Sequence, residues 1–214
     1  MSQILIIPVI LDSNQYNQNE RLSYSGIAAD FYPILIKQLQ NIFGRVVTSI
    51  NLYDALILDG DSIVNSHLFD KNRNQWNSKK ILQWISTKAL PNNDTKILAI
   101  CDFDAYSNDL NFVFGEAQMV GRVGAIYLSR LRQEFYGHIS NIYLFQQRII
   151  KETVHELGHL FKLSHCEKRN CVMHFSNSLK DTDFKDYNFC DRCIAMLFKH
   201  ALSGSDPMLV DTRR

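Results

Sequence analysis

Residues His155 to His165 read H-E-L-G-H-L-F-K-L-S-H. Histidines four apart on a helix share one face, one turn apart, and can hold one metal ion between them. Glu156 follows the first histidine and is placed to act on a water at the metal rather than on the metal. His165, six residues after His159, can supply a third nitrogen if the helix ends and the chain turns back. Three protein ligands and an open fourth position are what a catalytic zinc requires. The five-residue pattern alone arises by chance in roughly one chain of this length in a few hundred. Paired helical histidines can also be plain polar surface, so the residues that follow carry much of the argument.

Cys166 comes directly after His165, and Cys171, Cys190 and Cys193 follow at C-x4-C and C-x2-C spacing. That spacing suits a structural zinc held by four thiolates. Two disulfides, or buried small apolar residues, are the other readings of such cysteines. Nothing in the sequence suggests an oxidising compartment, which favours the metal. The remaining cysteine, Cys101, reads as a small buried residue on a strand.

The run His155-Glu156-x-x-His159-x5-His165-Cys166-x4-Cys171-x-Met173, closed by Cys190-x-x-Cys193, resembles the archaemetzincins, small zinc peptidases of the metzincin clan. Upstream, Asp102-Phe103-Asp104, Asn111-Phe112-Val113-Phe114-Gly115-Glu116-Ala117 and Gly121-Arg122-Val123 are similar to the segment before that family's active-site helix, and Phe69-Asp70-x-x-Arg73-x-Gln75-Trp76 is a looser match. The resemblance implies two Zn2+ ions, one catalytic at His155, His159 and His165 and one structural at Cys166, Cys171, Cys190 and Cys193. It implies that Met173 lies in a Met-turn beneath the catalytic metal as support. It also implies that Asn111, Phe112, Val113 and Phe114 form an antiparallel edge strand, ended by Gly115, that pairs with an extended substrate through main-chain bonds. An ordinary core strand is the other reading of those four residues. Phe175 stands where some metzincins carry a tyrosine ligand.

One position departs from the metzincin pattern. Lys162 occupies the place of the glycine that ends the helix. Glycine suits a turn of positive φ, and a lysine there costs on the order of 1–2 kcal/mol. Either the turn differs or the strain is tolerated. Neighbouring residues on an extended segment point to opposite sides. His165 can therefore face one metal while Cys166 faces the other, so that the cysteine site anchors the segment delivering His165.

At 214 residues, 46% hydrophobic and 21% charged, the chain has the composition of a globular protein. It is expected to be one domain over 1–214, with lobes 1–161 and 162–214. The net charge of +1 gives no argument for nucleic acid or an anionic membrane. The apolar run Ile4–Leu11 is broken by Pro8, lacks a basic leader and is too short to span a bilayer. A cytoplasmic monomer acting on a peptide or protein substrate is expected.

Periodicity predicts strands at Ile4–Ile10, Val46–Leu52, Lys96–Cys101, Phe112–Phe114 and Arg122–Leu128. It predicts helices at Ile27–Phe43, bent or begun at Pro33, at Ser78–Ala89 capped by Ser78, and briefly from Ser129 through Phe135. A long helix is expected over Asn141–Phe161 and a last one over Asp191–Leu202. With the resemblance, the fold class is α/β (α+β, zincin- and metzincin-like): a mixed twisted sheet with an antiparallel edge strand at the cleft, a long active-site helix and a zinc-stapled C-terminal lobe.

These features point to a zinc-dependent peptidase with Glu156 as general base. The second reading is a non-hydrolytic, zinc-stabilised peptide-binding protein whose catalytic site Lys162 has weakened. A gluzincin-type site, with a distant glutamate as third ligand, is made unnecessary by His165. An aminopeptidase needs a group for the free amine, and Glu116 and Asp104 are the candidates by position. His67, His138, His174 and His200 are assigned no role.

Overall fold

A computed structural model describes residues 2–11, 27–59, 67–89, 94–107, 110–119 and 121–203. The larger sheet runs β2 (Val47–Leu52), β1 (Ser2–Leu11), β6 (Thr95–Cys101), β10 (Val123–Tyr127) and β9 (Gly115–Ala117), with β3 (Leu56–Leu58) also against β1. All pairings are parallel except β9 on β10. A smaller sheet runs β4 (Phe69–Asp70), β5 (Gln75–Asn77), β7 (Ala105–Ser107) and β8 (Leu110–Val113).

The larger sheet is covered on both faces, as a parallel sheet must be. Side chains alternate along each strand. Leu98 and Ile100 join Ile4, Ile6 and Ile126 against α1 (Phe31–Phe43) and α3 (Ile142–Leu160). Ile97, Ala99 and Cys101 join Ile7, Val9 and Ala125 against Ile81, Leu82 and Ile85 of α2 (Ser78–Lys88). This two-sided burial explains the apolar runs Ile97–Cys101 in β6 and Val123–Tyr127 in β10. Cys171, Val172, Met173, Cys193 and Leu197 pack into the same cluster as α3.

Pro8 sits inside the central strand β1 without disrupting it. β2 pairs with Ser2–Ile6 and β3 with Val9–Leu11, so Pro8 falls in the gap between them. The Ile6 carbonyl points to that side, accepting from the Tyr53 amide at 2.9 Å. Two residues on, the missing N–H of Pro8 faces the gap as well.

Several expected boundaries are corrected. The first helix begins at Phe31 rather than Ile27, with Pro33 in its first turn, where no intrahelical N–H bond is lost. Ser78 is not the cap of α2. Asn77 is, its side chain accepting from the Lys80 amide at 3.1 Å, while the Ser78 hydroxyl is buried against Tyr127 Oη at 2.8 Å. The helix expected from Ser129 is two 3-10 turns, Ser129–Leu131 and Gln133–Tyr136, because Arg132 between them is extended. A short helix, α4 (Leu179–Phe184), was not expected, and the last helix is α5 (Asp191–Ser203).

The antiparallel edge strand expected over Asn111–Phe114 is found for its first three residues, where β8 is the terminal strand of the smaller sheet. Asn111, Phe112 and Val113 lie in β8 of the smaller sheet, antiparallel to β7, and Phe114 is outside any strand. The antiparallel edge of the larger sheet is the next segment, β9, so Gly115 begins that edge rather than ending the run before it. Alternation alone could not place a break of one residue between two short strands.

Among the described residues, no helix is long and apolar enough to cross a membrane. Asn77→Ala is expected to cost about 1 kcal/mol and to lower the melting temperature by roughly 2–4 °C. An unchanged melting temperature would show that the cap contributes nothing.

Candidate active site

Helix α3 starts at a capped N-terminus, where the Asn141 side chain accepts from the Leu144 amide at 3.0 Å. It becomes wholly buried from Glu152 to Leu160, which brings His155, Glu156 and His159 under the sheet. His155 Nδ1 lies 2.7 Å from the Val172 carbonyl and His159 Nδ1 2.7 Å from the Leu163 carbonyl. A carbonyl can only accept, so each Nδ1 carries the proton and each Nε2 presents a lone pair. Those two Nε2 atoms are 3.1 Å apart. Two converging lone pairs repel unless a cation or proton lies between them. Two nitrogens on a tetrahedral zinc would be roughly 3.3 Å apart, so the spacing fits.

Burial, and after it the nearby Lys185 charge, holds His155 well below the ordinary imidazole value. Burial brings His159 down to about 4 and lowers His165 as well. All three are therefore neutral near pH 7, the form that binds metal.

Lys162 adopts φ 65°, so the glycine-type turn is kept. The amide of Lys162 donates to the His159 carbonyl at 2.8 Å and that of Leu163 to the Gly158 carbonyl at 3.0 Å. This is the Schellman pattern that closes helices with a left-handed residue. Leu163 is buried beyond the turn and its carbonyl is the one that orients His159. The chain then delivers His165, whose ring centroid is 5.3 Å from that of His155 and 4.8 Å from that of His159. One ligating atom from each of the three lies within 4.8 Å of the others, so the three could hold one metal ion.

Cys166, Cys171, Cys190 and Cys193 gather in a second group. All are free thiols, and Cys166 Sγ and Cys190 Sγ are 3.8 Å apart. That is too long for a disulfide and matches the edge of about 3.8 Å expected for zinc–sulfur bonds of about 2.3 Å at the tetrahedral angle. Burial alone would raise the Cys190 thiol, but donation from the Cys193 amide and neighbouring thiols brings it to about 7. The two groups are joined through the backbone: the Cys166 amide donates to the Met173 carbonyl at 2.9 Å, and the His174 ring contacts the Cys166 carbonyl at 2.9 Å. Met173 is fully buried against Gly158, where an added Cβ would lie 2.4 Å from its Sδ.

A cleft of about 430 Å³ opens in front of the histidines. Asn111, Phe112, Val113 and Phe114 line it, as do the three residues of β9, Glu152, Glu156, Phe175 and Ser176. The Asn111 carbonyl already accepts from Gln75 at 3.0 Å, and the Phe112 ring lies beneath Arg130. Gly115 touches Glu156 so closely that a Cβ would meet Oε1 at 2.5 Å. Burial pushes the Glu156 carboxyl well above its ordinary value, and its Oε2 has no hydrogen-bond partner. A cation at the three histidines would act in the opposite direction.

Of the two candidates for holding an amine, Asp104 is committed. It pairs with Arg130 at 2.7 Å and 2.9 Å and accepts from Gln75 at 3.0 Å. Glu116 lines the cleft. Sequence reasoning missed a buried ion pair behind the site: Lys185 Nζ lies 3.0 Å from Glu152 Oε1, which also accepts from Thr182 at 3.0 Å. No spacing links residues 152 and 185. The only available signal was helical phase, since Glu152 lies three residues before His155 on the same face.

Lys162→Gly is expected to relieve about 1 kcal/mol of backbone strain, raising the melting temperature by roughly 2–4 °C with metal content unchanged. A lower melting temperature would mean that the lysine side chain contributes more than its conformation costs.

The pattern of Peptidase family M54 matches residues 35–199. An archaemetzincin of Methanocaldococcus jannaschii is 43% identical over 131 residues, covering 61% of this chain and 70% of that protein. One from Pyrococcus abyssi is 36% identical over 174 residues, covering 81% and 90%. The crystal structure of archaemetzincin from Methanopyrus kandleri superposes with a TM-score of 0.70 at 26% identity, covering 93% of this chain and 95% of that one. A zinc-dependent peptidase from Methanocorpusculum labreanum superposes with a TM-score of 0.69 at 25% identity, covering 89% and 99%. With more than half its length inside the family pattern, the chain belongs to the archaemetzincins, Peptidase family M54, a family of zinc metallopeptidases.

Proposed function

We propose that this chain hydrolyses peptide bonds with His155, His159 and His165 holding a catalytic zinc and Glu156 acting as general base. A second, structural zinc belongs to Cys166, Cys171, Cys190 and Cys193. The observation that carries this reading is the 3.1 Å approach of two Nε2 lone pairs whose partner nitrogens are both committed to carbonyls.

Bound at the three imidazoles, zinc would supply Lewis-acid activation of a water and of the scissile carbonyl. Glu156 takes the attacking water's proton at its unpartnered Oε2 and passes it to the leaving amine. Gly115 leaves that carboxylate room against the cleft wall. An extended peptide lies along β9, which pairs only with β10 among the described strands, and along the cleft wall formed by Asn111–Phe114. Met173 packs beneath the helix between the two histidines as a support.

The cysteine site anchors the segment that carries His165, because Cys166 is its neighbour and its amide donates to the Met173 carbonyl. The zinc-type rather than disulfide-type grouping of the cysteines supports a reducing compartment such as the cytoplasm. The protein acts there as a monomer on peptide or protein substrates. The competing reading, a peptide-binding protein with a weakened catalytic site, drew on Lys162, and the turn at Lys162 keeps the glycine-type geometry.

Glu156→Gln is expected to keep zinc and to lose hydrolysis of a mixed peptide library by a factor of roughly 10²–10⁴. Retained cleavage by a clean preparation of that variant would refute the assignment of the base.

A further inference from the structure

Every residue from Glu134 to Tyr143 is exposed, and half of them are large and apolar. Phe135 and Tyr136 are nearly half exposed, Ile142 and Tyr143 more than half, and Ile139 is 89% exposed. A lone exposed apolar side chain is ordinary, but a cluster of them among polar residues marks a contact site. The segment is also tied down. The Gly137 amide donates to the Glu134 carbonyl at 3.0 Å, the His138 amide to the Gln133 carbonyl at 3.2 Å, and the Gln133 side-chain amide to the Ile139 carbonyl. Gly137 makes the turn at φ 79°, and Asn141 caps the helix that follows. A surface already held in one shape loses little entropy when a partner covers it.

The place of this patch in the fold points to what covers it. The Arg130 guanidinium faces two rings, with its Cζ 4.5 Å from the centroid of Phe112 and 4.7 Å from that of Phe135. Asp104 grips the same guanidinium through both carboxylate oxygens, at 2.7 Å and 2.9 Å, which fixes the stack. Phe112 lines the cleft, and the Tyr136 ring packs edge-on against Phe135 at 5.2 Å. The patch is therefore continuous with the cleft wall. At about 3.3 Å per residue, Phe112 and Phe135 are no more than about three residues of extended peptide apart.

We infer that Phe135, Tyr136 and Ile139 form a second docking surface for the substrate, one that takes large apolar side chains a few residues from the bond presented to Glu156. The occupant is an extended segment of the same peptide or protein that fills the cleft. The inference rests on the proposed peptidase reading for what lies in the cleft. It adds a demand on the substrate, an apolar stretch beyond the residues next to the scissile bond.

The test is fluorescence anisotropy with zinc-loaded Glu156→Gln protein and four labelled peptide pools that share a short randomised core. A tail of Phe-Leu-Phe or of Ser-Gly-Ser precedes or follows the core, and the label sits at the opposite end. At one of the two ends the apolar tail is expected to bind about tenfold more tightly than the polar tail. The end that does so gives the direction in which the chain leaves the cleft. In Phe135→Ser/Ile139→Ser the gain is expected to vanish. It is expected to persist in Ile57→Ser, an exposed position on β3 that β1 and β6 separate from β10. Equal binding of apolar and polar tails at both ends overturns the inference, as does a gain that survives Phe135→Ser/Ile139→Ser. Should the double variant not fold, Ile139→Ser alone decides, and an undiminished gain in it overturns the inference. Sedimentation of the wild type checks the other occupant: a dimer that Ile139→Ser dissociates assigns the patch to a second copy of the chain and overturns the inference. Cleavage by the wild type is scored separately. A tail preference with no pool ever cut fails the peptidase reading and leaves the docking surface standing, and cleavage without a tail preference does the reverse.

Discussion

Two backbone carbonyls determine what this site can be. The Leu163 and Val172 oxygens each accept from the Nδ1 of a buried imidazole, which leaves two Nε2 lone pairs aimed at one point. Neither carbonyl comes from the helix that carries the histidines. One follows its closing turn, and the other belongs to the segment packed beneath it. The site therefore exists only when the C-terminal segment is folded onto α3. This explains why Met173, Cys171 and Leu197 share a core with Leu157 and Leu160.

The same dependence gives Lys162 its meaning. A left-handed lysine is costly in isolation, yet its two flanking amide bonds close the helix and set the Leu163 carbonyl on His159. The buried Glu152–Lys185 pair joins α3 to the same C-terminal segment, with Thr182 completing it. Breaking such a pair by removing one partner is far more damaging than never having had it. Its positive end also contributes to keeping the histidines in the neutral form.

Much of this architecture is legible in the amino-acid sequence. The ligand spacings on either side of residue 165 describe chemistry that depends on side-chain type and local geometry, and the fold brings those residues into two groups. The central strands are legible because burial on both faces leaves an apolar signature at Ile97–Cys101 and Val123–Tyr127. What escapes is decided by tertiary pairing. Leu110–Val113 and Gly115–Ala117 are consecutive short strands that enter different sheets, and no period within four residues reports which sheet a strand joins. Ser78 has the chemistry of a cap, but Tyr127 claims its hydroxyl. Glu152 and Lys185 find each other across 33 residues of sequence, where no local rule applies.

The central claim is that two distinct metal sites stand side by side, the cysteine site supporting the histidine site. Elemental analysis of zinc tests it most directly, on protein purified without chelator. The account expects two zinc ions per wild-type chain and one in His155→Ala/His159→Ala. In Cys190→Ser/Cys193→Ser it expects less than one, because the segment delivering His165 loses its anchor. One zinc in both the wild type and the histidine variant would contradict the catalytic site. A full zinc ion retained in the cysteine variant would contradict the coupling between the two.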